Sequence, residues 1–275
     1  MMKKSKMMNR GIAYILLILF AFIFLLPFIY ALYTSFLDLK DLDHIVHVSQ
    51  LTLDNYKRFW NNDAYNIPRW YFNSITMTTI IIGGNIIINT MAAYALAKLE
   101  FPGKKIISFI IVGTMMIPYH MILIPVYVKM AKLGWLNTFA SLTIPYLYQC
   151  LYIFMLRQFF ISIPDSLMEA ARIDGLTKIG AFTKILLPLS KPSIVTMIIL
   201  AFTGTWNSYL IPSTMVNRKE MFVLVVGLNS VKDQFFERTN LVMAGVVITT
   251  LPVILIFLIF QKQYVEGVAT SGIKG

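Results

Sequence analysis

Six long apolar stretches free of Asp, Glu, Lys and Arg alternate with shorter polar segments along this chain. Each contains at least 23 residues, more than the roughly 20 that a helix needs to cross the hydrocarbon core of a bilayer. The pattern predicts an all-α integral membrane protein with about six transmembrane helices in a single domain over residues 1–275. The predicted spans are residues 11–36, 73–97, 106–126, 138–157, 193–212 and 241–261.

A polar segment, residues 162–192, separates the fourth and fifth predicted spans. Pro164 suits the first position of a helix, where its missing N–H is not needed. We expect that helix to run to Asp174 and to end at Gly175, because glycine adopts the left-handed backbone of a helix stop without strain.

A second short helix is predicted to follow the glycine. Thr177 can cap its N-terminus, and Pro188 and Pro192 are expected to break it. Its apolar positions recur at helical spacing and form one face, made of Ile179, Phe182, Ile185 and Leu186. Residues 162–192 are therefore predicted to form a helix-turn-helix on the cytoplasmic side.

This segment resembles the cytoplasmic coupling loop of importer-type ABC transporter permeases. The resemblance rests on residues at matching spacings, namely Glu169, Ala170, Ala171, Asp174, Gly175, Pro188 and Pro192. It implies a type I ABC importer permease fold in which residues 162–192 fit a cleft on an ATPase subunit. Glu169 and Asp174 would then make polar contacts, Ala170 and Ala171 would allow close packing, and Gly175 would form the bend.

Two further segments resemble the sugar-importing branch of the same family. One is Ala92 to Lys98 followed by Phe101-Pro102-Gly103-Lys104, and the other is Trp206-Asn207 with Tyr209 and Pro212. An aromatic face beside an amide is suitable chemistry for a sugar, which offers C–H groups and hydroxyls. The candidate translocation path therefore comprises polar and aromatic residues of the second and fifth spans: Asn85, Asn89, Trp206, Asn207 and Tyr209.

The resemblance implies several partners. They are a sister permease, two ABC ATPase subunits, an extracytoplasmic sugar-binding protein, membrane lipid and a carbohydrate substrate. The sequence contains no G-x-x-x-x-G-K-[ST] phosphate loop, so we expect no enzyme activity and no cofactor in this chain, with ATP and Mg²⁺ held by the partner ATPases. No metal site is expected either.

The charge distribution predicts the orientation. If the N-terminus is cytoplasmic, 14 of the 24 Lys and Arg residues lie on that side, as the positive-inside rule requires. Both termini and residues 162–192 are then cytoplasmic, in the plasma or inner membrane of a bacterium. The net charge of +11 is explained by this bias and does not indicate nucleic-acid binding.

Three alternative functions remain open at this stage. The chain could be an ABC permease for a non-sugar solute, although the Trp206-Asn207 and Ala92 to Lys98 segments argue against it. An ion-coupled secondary transporter should carry ionisable groups in mid-span and a repeated half, and neither is found in the sequence. A membrane scaffold without transport is the third, and a solute-dependent ATPase assay would distinguish it.

Overall fold

The structure, a computed structural model, describes residues 2–62, 65–231 and 238–272, and over these ranges its regular elements are all helical. The α-helices are α1 Met2–Ser35, α2 Asp54–Trp60, α3 Ile67–Lys98, α4 Lys104–Met115, α5 Tyr119–Lys132, α6 Phe139–Thr143, α7 Cys150–Ser162, α8 Asp165–Ile173, α9 Lys178–Ala181, α10 Leu187–Leu189, α11 Lys191–Trp206, α12 Leu210–Met215, α13 Leu224–Val231 and α14 Thr239–Gly272. A π-helical turn, Phe182–Leu186, joins α9 to α10.

Four of the described helical stretches are long and apolar enough to cross a membrane. They are residues Gly11–Ser35, Ile67–Lys98, Phe139–Ser162 and Thr239–Gln263. Two bent pairs bring the total to six if each pair is one span: α4 with α5, at 101°, and Lys178–Leu189 with α11, at 76°. Six apolar passages were predicted, and this number is the upper limit that the described residues allow.

Prolines and helix starts divide three of the predicted spans. The stretch 106–126 is not one helix, because Pro118 lies at the N-cap of α5 with an extended backbone and the chain turns there. The stretch 138–157 is interrupted where Pro145 enters a 3₁₀ turn and Gln149 starts α7 from an extended conformation. The stretch 193–212 is divided between two helices, because α11 ends at Trp206 and α12 begins at Leu210.

The chain divides into two compact units. The first comprises the described parts of Met1–Ile67 and Leu228–Leu251. Two buried asparagines organise it: the Asn55 amide donates to the carbonyls of Ser35 and Leu37, at 2.9 and 2.7 Å, and the Asn240 amide donates to Leu37 O and Asn55 Oδ1, at 3.1 and 3.0 Å. The large apolar side chains of α1 from Ile12 to Leu32 are exposed, as a lipid-facing helix requires.

The second unit comprises Pro68–Gly227 and the described part of Pro252–Gly275. It contains two clusters of buried apolar side chains. One surrounds Leu142, Tyr146 and Met215, and the other, which we call the coupling core, includes Ala93, Leu156, Phe160, Ala171, Leu186 and Met197. The coupling core packs α8 and the π turn of residues 162–192 against α3, α7 and α11.

Candidate coupling segment and cavity

The first half of the 162–192 segment folds as the local sequence predicts. Helix α8 runs from Asp165 to Ile173, and Gly175 has a φ of +77°. The Gly175 N–H donates to Arg172 O at 3.0 Å and the Leu176 N–H to Ala171 O at 2.9 Å, which is the double hydrogen bond of a Schellman stop. Pro164 lies at the N-cap, one position before the predicted site.

The second half begins as predicted and ends differently. The Thr177 hydroxyl accepts a hydrogen bond from the Gly180 N–H at 3.1 Å and so caps α9. Pro188 does not break the helix, contrary to the prediction. The π turn before Pro188 shifts the backbone hydrogen bonds, so that the Leu187 N–H bonds to Phe182 O. The missing N–H of Pro188 therefore disrupts the helix less than it would in a regular α-helix. The helix ends at Ser190, and Pro192 lies in the first turn of α11, where no N–H is needed.

Lys98, at the end of α3, binds the start of the 162–192 segment. Its ammonium group lies 2.6 Å from Ile163 O and 2.6 Å from Asp165 Oδ1. The Lys98 side chain is 4% exposed, whereas that of Asp165 is 78% exposed. The hydrogen bond and charge of Lys98 lower the pKa of Asp165, so this carboxylate is ionised at neutral pH.

Tyr94, one helical turn earlier in α3, fastens the second half. Its hydroxyl donates to Lys178 O at 2.9 Å, and its ring stacks on Phe182 with the centroids 4.9 Å apart. Phe182 is the first residue of the π turn. Since residues four apart share one face of a helix, one face of α3 holds both halves of the 162–192 segment.

The structure separates the predicted coupling residues into exposed and buried positions. Glu169, Ala170, Asp174 and Gly175 are exposed and are available to a partner. Ala171 is 0% exposed and belongs to the coupling core, so its side chain leaves no surface for a partner, contrary to the prediction. Its small size instead lets α8 pack closely on the chain itself.

Apolar side chains are also exposed on either side of the glycine stop. Ile173, the last residue of α8, is 86% exposed, and Ile179 in α9 is 73% exposed. Ile179 was predicted to share a face with Phe182 and Leu186, but only the latter two are buried. Large apolar groups exposed together on a polar segment are typical of a contact surface.

A cavity of about 200 Å³ lies within the second unit, between α3, α7 and α11. Its polar lining consists of uncharged groups from Asn85, Tyr146, Gln149, Tyr152, Thr205 and Ser208. Apolar side chains such as Met77, Ile81 and Leu142 complete the wall. This arrangement suits a neutral polar molecule, which needs hydrogen-bonding groups but no counter-charge.

Asn85 and Asn89 shape one side of this cavity. The Asn85 amide donates to Ile81 O at 2.7 Å and to Tyr146 O at 2.9 Å, and its oxygen accepts from the Asn89 amide at 2.7 Å. Asn89 Oδ1 in turn accepts the N–H of Gln149 at 3.1 Å. Both asparagines are 0% exposed, so they fix the turn before α7 against α3.

The predicted aromatic site lies elsewhere. Trp206 is 2% exposed, stacks on Phe202 at 5.6 Å and meets the edge of Tyr71 at 5.6 Å. Asn207 and Tyr209 are exposed and do not line the cavity. Among the described residues, Asn85 is the only one of the five predicted path residues that lines it.

Sequence reasoning missed the individual contributions of Tyr94, Lys98, Tyr146 and Gln149. A basic residue at the end of a long apolar stretch is the one visible signal for Lys98. Nothing in the local sequence marks Gln149, whose role depends on a contact sixty residues away. No group of three or more potential metal ligands occurs among the described side chains.

Comparisons with known proteins place the chain among transport components. Residues 89–269 match the family described as "Binding-protein-dependent transport system inner membrane component". The chain is 31% identical to the arabinooligosaccharides transport system permease protein AraQ of Halalkalibacterium halodurans, over 98% of this chain and 97% of AraQ. It is 30% identical to the trehalose/maltose transport system permease protein MalG of Thermococcus litoralis, over 99% of both chains.

The fold is also similar to a solved structure. A chain of a bacterial ABC transporter involved in the import of the acidic polysaccharide alginate superposes with a TM-score of 0.78 and 26% identity, over 94% of this chain and 98% of that one. The predicted type I ABC importer permease fold is therefore confirmed. Through both the family match and near full-length similarity to these permeases, the chain belongs to the binding-protein-dependent transport system inner membrane components.

Proposed function

We propose that this chain is the permease subunit of an ATP-driven importer and that, with a sister permease, it forms the path for a neutral sugar or oligosaccharide. Two ABC ATPase subunits hold ATP and Mg²⁺, and an extracytoplasmic binding protein delivers the sugar. The chain lies in the plasma or inner membrane of a bacterium with both termini cytoplasmic. Residues 1 and 273–275 of those termini lie outside the described residues.

The coupling role rests on one observation: the 162–192 segment presents Ile173, Ile179 and the Gly175 bend outward while α3 holds it from the inside. A partner that moves this surface would move Lys98 and Tyr94 with it. Because α3 also carries Asn85 and Asn89, the displacement would reach the turn at Tyr146 and the cavity. The segment transmits force and carries out no chemistry.

The choice of a neutral solute rests on the cavity. A phosphorylated or acidic solute requires basic groups, and the cavity between α3, α7 and α11 is lined by amides, hydroxyls and apolar side chains. Sugar hydroxyls both donate and accept, which matches the amide of Gln149 and the hydroxyls of Thr205 and Ser208. The sugars in the names of AraQ and MalG agree with this choice.

Uptake by the four-subunit complex in proteoliposomes tests the proposal. With binding protein and ATP present, a neutral oligosaccharide such as an arabinooligosaccharide or maltose should accumulate, and alginate oligosaccharides should not. Replacement of Ser208 by Ala should weaken sugar uptake, whereas Thr76→Ala, at a partly exposed position on α3 that does not line the cavity, should leave it unchanged. ATP-dependent accumulation of an acidic solute alone would contradict the neutral-sugar assignment.

A further inference from the structure

A second cavity, of about 730 Å³, lies where the α3–α4 connection meets α7. Its lining includes three basic residues, Lys104, Lys105 and Arg157, and one acidic residue, Glu100. Lys104 is bonded to Glu100 at 2.8 Å, which leaves a net charge of +2 from Lys105 and Arg157. This cavity is separate from the one assigned to the solute and plays no part in the proposed coupling.

Two polar groups of this cavity are buried without a partner in the described part of the chain. They are Nε of Arg157 and the hydroxyl of Ser108. A buried guanidinium N–H without an acceptor is costly, and ionisable side chains within membrane helices normally have a partner. Arg157 lies five residues before the end of α7, about 7.5 Å along the helix, close to headgroup depth.

The start of α4 adds donors to the same cavity. Gly103 occupies the N-cap position with a φ of +83° and has no side chain to cap the first N–H groups of the helix. The first turn carries Lys104 and Lys105 and no acidic residue, although the positive end of a helix disfavours cations. Both features favour an anion in front of α4.

The surface of α4 next to this cavity is apolar and exposed. Ile106, Phe109 and Ile110 share one helix face, and Phe109 is 78% exposed. A basic cavity above an exposed apolar face matches the two parts of a phospholipid, its phosphate and its acyl chains. We propose that this cavity binds the phosphate of an anionic phospholipid, such as phosphatidylglycerol, with Arg157 Nε, Ser108 Oγ and Lys105 as donors.

Native mass spectrometry of the purified four-subunit complex tests this proposal. Dioleoylphosphatidylglycerol is titrated into the delipidated parent complex and into complexes carrying Arg157→Gln, Ser108→Ala or Lys105→Ala. Each substitution should weaken binding of one phosphatidylglycerol, by about tenfold or more for Arg157→Gln, since that is the usual effect of a hydrogen bond to a charged group. The control Lys262→Ala removes an exposed lysine of α14, which does not line this cavity, and should change nothing.

Parallel titrations distinguish the sources of the phosphate. Dioleoylphosphatidylcholine, which has no net charge, should bind equally to parent and variants, and inorganic phosphate should not displace the phosphatidylglycerol. The proposal is overturned if parent and Lys105→Ala bind phosphatidylglycerol alike. It is also overturned if inorganic phosphate displaces the lipid, because the cavity would then take a free phosphate group. Lys105 is exposed, so its replacement keeps the test valid even if Arg157→Gln fails to fold.

Discussion

Lys98 Nζ lies 2.6 Å from Asp165 Oδ1, and this contact joins the C-terminal end of α3 to the first residue of α8 across 67 positions of sequence. The same ammonium group is bonded to Ile163 O at 2.6 Å. The Lys98 side chain is almost fully buried and that of Asp165 is largely exposed. The hydrogen bond to Ile163 O is therefore more shielded from water than the one to Asp165. The buried lysine, rather than the ion pair as a unit, fixes the 162–192 segment to α3.

This asymmetry predicts unequal effects of mutating the two partners. Lys98→Met should destabilise the fold by about 2 kcal/mol, because a charged donor to the Ile163 carbonyl is lost. Asp165→Asn should cost less than about 1 kcal/mol, since an exposed ion pair contributes little. Thermal unfolding of the complex in detergent measures both. Lys104→Met, which removes the lysine of a local pair with the exposed Glu100, is the matched control and should have a small effect. Equal losses for Lys98→Met and Asp165→Asn would contradict the assignment.

The same pair predicts a specific pH dependence. Lys98, with a smaller contribution from Lys104, lowers the pKa of Asp165 below the ordinary value of 3.8. A lowered carboxyl pKa gives stability that is present above the ordinary pKa and is lost as the pH falls through the lowered one. The difference in unfolding temperature between parent and Asp165→Asn should therefore stay constant from about pH 8 to pH 5. A difference that disappears between pH 8 and pH 6 would show that another group titrates.

Adjacent glycines in α3 provide an internally controlled packing test. A Cβ on Gly84 would lie 2.6 Å from Leu147 Cδ2 and 3.3 Å from Leu147 Cα, next to the cavity turn, whereas a Cβ on Gly83 meets nothing within 4 Å. Gly84→Ala should destabilise by about 1–3 kcal/mol through overpacking. Gly83→Ala should be neutral or stabilise by about 0.5–1 kcal/mol, because alanine favours a helix. Equal unfolding temperatures for the two variants would show that Leu147 does not pack against Gly84.

The exposed isoleucines predict a defect in assembly rather than in folding. Ile173→Asp places a charge in the apolar contact that we propose with an ATPase subunit. The amount of ATPase that co-purifies should therefore fall by at least about tenfold. Membrane insertion should be normal, because Ile173 is 86% exposed in the chain itself. Ile173→Leu keeps the apolar surface and should retain the ATPase. If the parental amount of ATPase co-purifies with the Ile173→Asp variant, Ile173 is not part of the interface.

Local chemistry explains which features the sequence predicted. The helix stop at Gly175 and the Thr177 cap depend on single residues and their immediate neighbours, and both are confirmed. The effect of Pro188 was predicted wrongly, because the π turn before it takes up the missing hydrogen bond. The burial of Trp206 depends on Phe202 and Tyr71, and Tyr71 lies 135 residues earlier in the chain, so local pattern could not reveal it.

If Gly175 forms the bend through which an ATPase subunit moves this chain, stimulation of ATP hydrolysis should depend on its backbone conformation. Gly175 has a φ of +77° with open space around its Cβ position, so a substitution acts through backbone strain and not through a clash within the chain. Asparagine tolerates this conformation, whereas a β-branched residue does not. Gly175→Asn is therefore the matched control for Gly175→Val.

The measurement is ATP hydrolysis by the purified four-subunit complex in lipid, with and without the sugar-loaded binding protein. We expect stimulation in the parent, substantial stimulation in Gly175→Asn, and loss of stimulation in an assembled Gly175→Val complex. Stimulation of Gly175→Val at the parental level would contradict coupling through this segment.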